Sequence, residues 1–395
     1  MVCGESSLKA GLALNVITRG SMRILHRKLG FIGISLLTIS LACSQFQRVI
    51  ATSPKNILKQ PVTTSNNPTP KTLLSCSVTQ GLGKDPWVTF DEEFYWFSNI
   101  IEQDTQGRMW LATDGHGLLM FDGKEWHNWQ PENRKDMSYD ALRTMAISDT
   151  KIYAGAYGSS DGGNLLVYDI GNDEWKTISP GENSLRNNVI GGVALKPTGE
   201  LYAMTKDGLD ILDKDTWLYQ SNPLESGSIL HTVDDALFDK DGNYWMATSN
   251  GIWKFDGKDW VSYTAGKRDL PSNGVNALAI DHDGRIWAAT TAGLAVFSNG
   301  KWFAFSSGEY PWYQGWLDNV AIDSQNRVWV TSRDVVSVYN GTEAILFTPD
   351  IIGESLWSSA IGFDKDGCVW IDISLGLAVF QGNVDLAPGN YEFIR

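Results

Sequence analysis

From Trp87 to its end the chain repeats itself. An aromatic residue that opens an apolar run after a polar turn recurs at Trp110, Tyr153, Tyr202, Trp245, Trp287, Trp329 and Trp370, at spacings of 43, 49, 43, 42, 42 and 41 residues. A period of this size means stacked supersecondary units, each burying its apolar face against the next. In the clearest copy, Asn276 to Trp302, the apolar runs are Ala277-Leu-Ala-Ile280, Ile286-Trp-Ala-Ala289 and Leu294-Ala-Val-Phe297, with a fourth opening at Trp302. Gly, Asp and Asn separate the runs, and none is long enough for a helix. Four strands per unit, repeated seven times, predict an all-β fold: a seven-bladed β-propeller of four-stranded blades.

The turns support this reading. Asp239-Lys-Asp-Gly242, Asp281-His-Asp-Gly284 and Asp364-Lys-Asp-Gly367 join the first and second strands. Asp caps turn backbone, and Gly takes the positive φ that other residues resist. These strings are not calcium loops of the EF-hand kind, because Asn250, Ala292 and Leu375 stand where that loop needs a bidentate Glu. The seventh copy lacks a fourth strand after Phe380, whereas Trp87-Val-Thr-Phe90 is an unmatched strand at the other end. The N-terminal strand is therefore expected to close the last blade, which removes an open edge. A C-terminal strand at Tyr391–Ile394 is the competing expectation.

Residues 1–84 lie outside the repeat. Arg23, His26, Arg27 and Lys28 precede an uncharged apolar run, Leu29 to Ala42, the pattern of an export signal. The run is short for a membrane-spanning helix, and an uncleaved anchor is the alternative. Ser40-Leu-Ala-Cys43 approaches a lipoprotein processing site, which makes Cys43 a candidate for lipidation, and Ala42-Cys-Ser44 also suits ordinary cleavage. The expected organisation is a signal peptide or lipoprotein signal over 1–44, a flexible polar linker over 45–84, and the propeller over 85–395. The protein is then exported: periplasmic, a cell-surface lipoprotein or secreted. Membrane contact would run only through the N-terminal lipid or anchor.

Cysteine use fits an oxidising compartment. Besides Cys3 and Cys43 the chain has Cys76 and Cys368, which the register places on one face, within reach of a disulfide that would fasten the closing strand. Two free thiols are the alternative. The formal charge of −14 argues against nucleic-acid binding. The leader carries five basic residues against Glu5, so its removal would take the charge to −18.

Counting back from each anchor aromatic places Asn99, Arg143, Gly191, Asp234, Asn276, Asp318 and Ser359 at the channel entrance, all polar or small. Two residues deeper come Ile101, Met145, Val193, Ala236, Leu278, Val320 and Ile361, all apolar. A polar mouth above an apolar throat suits a ligand, and it also suits a water-filled channel. Trp312, Tyr313, Trp316 and Trp357 in the entry loops of blades six and seven offer stacking surface or pack as a lid. The Gly-rich loop from Gly155 to Asn164 lies on the same face. Of the histidines, His116 and His231 reach this face, on blades one and four, with Asp234, Asp235 and Asp318 nearby; they are the candidate ligands for a divalent cation. No nucleophile elbow, phosphate-binding loop or Cys–His pairing is present in the sequence.

The units resemble the two-component regulator propeller repeat, N-x-V-x-A-I-x-x-D-x-x-G-x-I-W-x-x-T-x-x-G-L-x-x-F-x-G-x-x-W. The match is closest around Trp110, Trp245 and Trp287, degenerate around Tyr153 and Tyr202, and broken after strand two around Trp329 and Trp370. The resemblance implies an extracytoplasmic, sensor-like module that binds a small molecule or protein partner at the channel entrance, without catalysis and without a cofactor. Propeller lyases of the streptogramin-inactivating type are similar in blade number and use His with a metal. A metal-assisted lyase is therefore one alternative, and a protein-interaction scaffold is another.

Overall fold

The computed structural model describes residues 87–90, 98–156, 163–221, 233–266, 270–305, 315–333, 335–348, 360–373, 376–389 and 391. These form seven antiparallel sheets of four strands each. Blade 4 is representative, with strands Val233–Phe238, Tyr244–Thr248, Gly251–Phe255 and Trp260–Tyr263. The innermost strands are Ser98–Gln103, Leu142–Ile147, Ile190–Leu195, Val233–Phe238, Val275–Ile280, Leu317–Ile322 and Ile361–Phe363. Each touches the innermost strand of the next blade, and the seventh touches the first, so the ring is closed.

The closure is the one expected from the N-terminal strand. Trp87–Phe90 pairs antiparallel with Gly376–Phe380, Trp87 opposite Phe380 and Phe90 opposite Leu377. Trp87 is buried against Phe380 and Phe347, at ring separations of 4.9 and 5.5 Å. The competing C-terminal strand is not formed at Tyr391, whose side chain instead docks on blades 5 and 6. Its hydroxyl donates to the Asn326 carbonyl at 2.7 Å and its ring meets Trp287 edge-on at 4.9 Å. Residues 392–395 lie outside the described residues. Cys368, just before the second strand of blade 7, is fully buried and disulfide-bonded. The other three cysteines, Cys3, Cys43 and the expected partner Cys76, lie outside the described residues.

One side-chain clasp explains why the repeat recurs. In blade 5 the Asp281 carboxylate accepts the backbone N–H of Asp283 (3.1 Å) and Arg285 (2.9 Å), shaping the turn. Its second oxygen accepts the indole N–H of Trp287 at 2.9 Å. The same bond joins Trp110 to Asp104 (2.8 Å), Trp245 to Asp239 (2.8 Å), Trp329 to Asp323 (2.9 Å) and Trp370 to Asp364 (3.1 Å). All five indoles are buried, and a buried N–H left unpaired would cost roughly 1–3 kcal/mol, so the first Asp of each turn is bound to the Trp six residues on. Gly242, Gly284 and Gly367 take φ of 79°, 79° and 84°, as the turns require. Each anchor also fills the seam to the following blade, as Trp245 does against Phe297 and Trp302.

Candidate functional site: the central channel

The inner strands share one irregularity. In six blades the register slips by one residue near the start of the innermost strand, and the residue left unpaired is Asn99, Arg143, Gly191, Asp234, Asn276 or Asp318. These are the six described residues of the expected entrance ring. A β-bulge leaves one residue out of the ladder and re-aims its side chain. Ser359, the seventh, lies outside the described residues, as do Trp312, Tyr313, Trp357 and His231.

Inside the ring of strands is a cavity of about 740 Å³. All seven apolar throat residues line it, from Ile101 round to Ile361. Of the entrance ring, Asn99, Asp234 and Asn276 line it as well. The two asparagines also have structural work: Asn99 donates to the Leu142 carbonyl at 2.9 Å and Asn276 to the Leu317 carbonyl at 2.6 Å, each reaching the next blade. Trp316 and Asp318 meet at the rim, where the indole donates to the carboxylate, and Trp316 stays half exposed at 53%.

The channel is acidic. Glu102, Asp234 and Asp235 line the cavity. Glu102 and Asp234 both keep accessible surface, and they lie among the residues lining the channel, where the surrounding protein leaves each carboxyl less hydrated than in open solvent. Loss of hydration, with repulsion from Asp235, pushes the Glu102 carboxyl up to about 7. Loss of hydration likewise raises Asp234 to about 6, against the pull of Arg143. Asp235 is raised to about 6 by desolvation, although its carboxylate accepts the Ala236 and Leu278 amides at 2.7 and 2.8 Å. Asp318 rises to about 6 by the same desolvation, opposed by Trp316 and Arg333. Sequence reading named Asp234, Asp235 and Asp318 but missed Glu102. Its signal was a carboxylate directly after the throat residue Ile101 on the inner strand Ser98–Gln103.

His116 sits in the turn after the second strand of blade 1 and is not among the cavity-lining residues. Its amide donates to Thr113 Oγ1 at 3.2 Å and its carbonyl accepts Asn128 Nδ2 at 3.0 Å. Among the described residues, the one grouping of His and acids with mutually close ligand atoms is Asp122, Glu125 and His127. It lies on the exposed outer turn of blade 1, where Asp122 already caps the Lys124 and Glu125 amides at 2.8 and 2.9 Å.

The stretch around Trp287 carries the Asp–Trp clasp, the Gly284 turn and the Thr290 hydroxyl closing onto the Gly293 carbonyl at 2.6 Å. Over residues 269–292 it matches the family profile described as Two component regulator propeller. The match spans one repeat of the seven. Solved structures extend the likeness around the ring. The extracellular domain of a hybrid two component system protein from B. thetaiotaomicron is similar at TM-score 0.57 and 19% identity, over 72% of this chain. This chain spans only 39% of that protein's length. A streptogramin B lyase is similar at TM-score 0.59 and 13% identity, over 75% of this chain and 97% of that one. YCF48 bound to D1 peptide is similar at TM-score 0.57 and 13% identity, over 77% and 99%. At these identities the likeness is one of fold. A search of curated proteins finds no match.

Proposed function

We propose that this protein is an exported, sensor-like binding propeller whose central channel takes a small molecule or a segment of a protein partner, without turnover and without a cofactor. The observation that carries the reading is the channel itself. A cavity of about 740 Å³ has a continuous apolar throat and a few convergent polar groups, the composition of a ligand site. The carboxyls of Glu102, Asp234 and Asp235 give it a chemical preference, because a cationic group would restore the favourable interactions these acids lost on leaving water. The likeness to an extracellular two-component domain and the basic-then-apolar leader support export. The ligand is therefore expected to carry an amine or guanidinium on an apolar body.

Benzylamine and benzyl alcohol are suitable probes, equal in shape and different in charge. Titration calorimetry should show saturable binding of benzylamine at pH 8 and much weaker binding of the alcohol. Glu102→Gln with Asp234→Asn should weaken benzylamine at least tenfold and leave the alcohol unchanged. Equal binding of the two probes, or an amine affinity indifferent to both substitutions, would remove the channel reading. Chelator and His116→Ala should change nothing; if they abolish binding, the metal-assisted alternative takes precedence.

A further inference from the structure

Six of the seven seams between blades follow one rule, and the seam between blades 2 and 3 breaks it. Elsewhere the third strand of the following blade carries an aromatic at its last or second-last position: Phe121, Tyr168, Phe255, Phe297, Tyr339 or Phe380. Between blades 2 and 3 that position is Leu212, and the anchor facing it is Tyr153 rather than Trp. In the turn below, Ser148 stands where five blades have Asp, and its hydroxyl accepts only the nearby Lys151 amide at 2.9 Å. Tyr153 is half-buried, unlike the five anchor tryptophans. Two smaller side chains and a missing clasp at one seam leave a groove of about 410 Å³.

The lining of this groove is unlike that of the channel. Tyr153, Val167 and Lys176 lie in one row across blade 2, so all three face blade 3, where Leu212 and Trp217 are paired opposite each other. Lys151 and Lys214 complete a set of three ammonium groups, against a single carboxylate, Asp215. Lys151, Lys176 and Lys214 have no ion-pair partner among the described residues, unlike Lys196, Lys240 and Lys258, which lie outside the groove. Three lysines lining one groove with a half-buried indole and phenol, in a chain of net charge −14, form an anion-attracting site on an anionic molecule.

We propose that this groove is a second binding site, for a small organic anion whose charge is carried on a flat apolar ring. Trp217 and Tyr153 supply the surface that covers the ring, and Lys151, Lys176 and Lys214 surround the anionic group. The volume lies within the range of small-molecule sites. The site is independent of the channel, since it shares no lining residue with it.

The probe is 4-nitrophenyl phosphate, with inorganic phosphate and 4-nitrophenyl glucoside as controls for charge alone and ring alone. Calorimetric titration of the whole protein should show saturable binding of the aryl phosphate, weakening as NaCl rises from 0.05 to 0.5 M, ionic strengths chosen from roughly 13 to 4 Å of screening length. Each control alone should bind at least about tenfold more weakly, because each lacks one of the two contacts. Lys176→Glu with Lys214→Glu, both at exposed positions, should abolish aryl phosphate binding without lowering the melting temperature. Tyr153→Trp with Leu212→Phe restores the pattern of the other seams, and should abolish binding while leaving the fold intact. Binding that survives in the filled variant, or that is unchanged by the lysine reversals, would overturn the proposal. So would wild-type protein that shows no saturable binding of the aryl phosphate. Glu102→Gln should leave this binding unchanged, which separates failure here from failure of the channel reading.

Discussion

The first Asp of each inner turn has more partners than a turn needs. Asp281 holds two backbone amides, the Trp287 indole and, at 2.5 Å, Arg285 Nε, while being fully shielded from solvent. Arg285 in turn donates to Asp283 and to the Tyr391 carbonyl at 3.0 Å. Removing the carboxylate orphans a buried indole N–H and leaves a largely shielded guanidinium less compensated, so Asp281→Ala should cost about 2–4 kcal/mol. Ser148 occupies the same place in blade 2, beneath a tyrosine rather than a clasped tryptophan. Ser148→Ala loses only local turn bonds and should cost about 1 kcal/mol. Urea unfolding followed by tryptophan fluorescence compares the two. Equal losses would mean that the clasp adds nothing to the turn. These residues were legible because the signal is local: an Asp six positions before an anchor Trp recurs five times, with Gly between them in four copies and Asn326 in the fifth. What the spacing could not reveal is that the entrance residues counted back from the Trp are the bulged ones, since bulging depends on the partner strand.

Among the strands and their connections, the two chain ends behave differently. The closing strand could be read in advance because one blade lacked a strand and one strand lacked a blade. The segment after Phe380 was harder, since its partners lie on blades far back in the sequence. Arg327 Nη1 donates to the Val384 carbonyl at 3.1 Å, and the Gly389 amide donates to the Gln325 carbonyl at 2.9 Å. Tyr391 then inserts between Trp287 and Tyr339, with the Arg285 guanidinium 4.8 Å above its ring. The stretch Tyr391–Ile394 offered a competing strand, but the described tail, up to Tyr391, is a strap across the turns of blades 5 and 6. Gly389 permits its close approach: a Cβ there would lie 1.8 Å from the Asn326 carbonyl oxygen and 2.6 Å from the Tyr391 hydroxyl. Gly389→Ala should therefore lift the strap at a cost of roughly 1–3 kcal/mol. Hydrogen exchange should quicken at Gly389 and in the turns at 281–285 and 323–327, and stay unchanged in Trp87–Phe90. Unchanged protection throughout would show that the strap has slack. The groove between blades 2 and 3 was hidden for a related reason. Tyr153 and Leu212 look like ordinary degeneracy of a repeat until the fold brings them to the same seam.

For the whole molecule, the acids divide by burial, and the division sets the response to pH; Asp210 and Asp364, outside the channel, are raised by loss of hydration as the channel acids are. Outside the channel, Asp136 is held down to about 2 by its hydrogen bond from Arg134, and Asp122, Asp173, Asp239 and Glu200 are lowered as well. Groups lowered in the folded state stabilise it above their unfolded values near 4, and that contribution is lost as pH falls through the folded values. In and around the channel the sign reverses. Glu102, at about 7, and Asp234, Asp235 and Asp318, at about 6, hold protons that the unfolded chain would already have released. Between pH 4 and 7 the folded state binds more protons than the unfolded state, so stability falls as pH rises across that window. Arg143 and Arg333 oppose this penalty without cancelling it. Thermal unfolding should accordingly be most resistant near pH 5, with the melting temperature declining towards pH 8 and more steeply below pH 4. Glu102→Gln removes one share of the channel penalty. Its melting temperature should exceed that of the parent at pH 8, and the gain should shrink by pH 5, where the parent's Glu102 is protonated in the folded state. A constant offset at both values would place Glu102 in well-solvated surroundings and remove the desolvated channel from the argument. A channel that is costly to keep ionised is also one that a bound cation stabilises, so benzylamine should raise the melting temperature at pH 8 and lose that effect at pH 5.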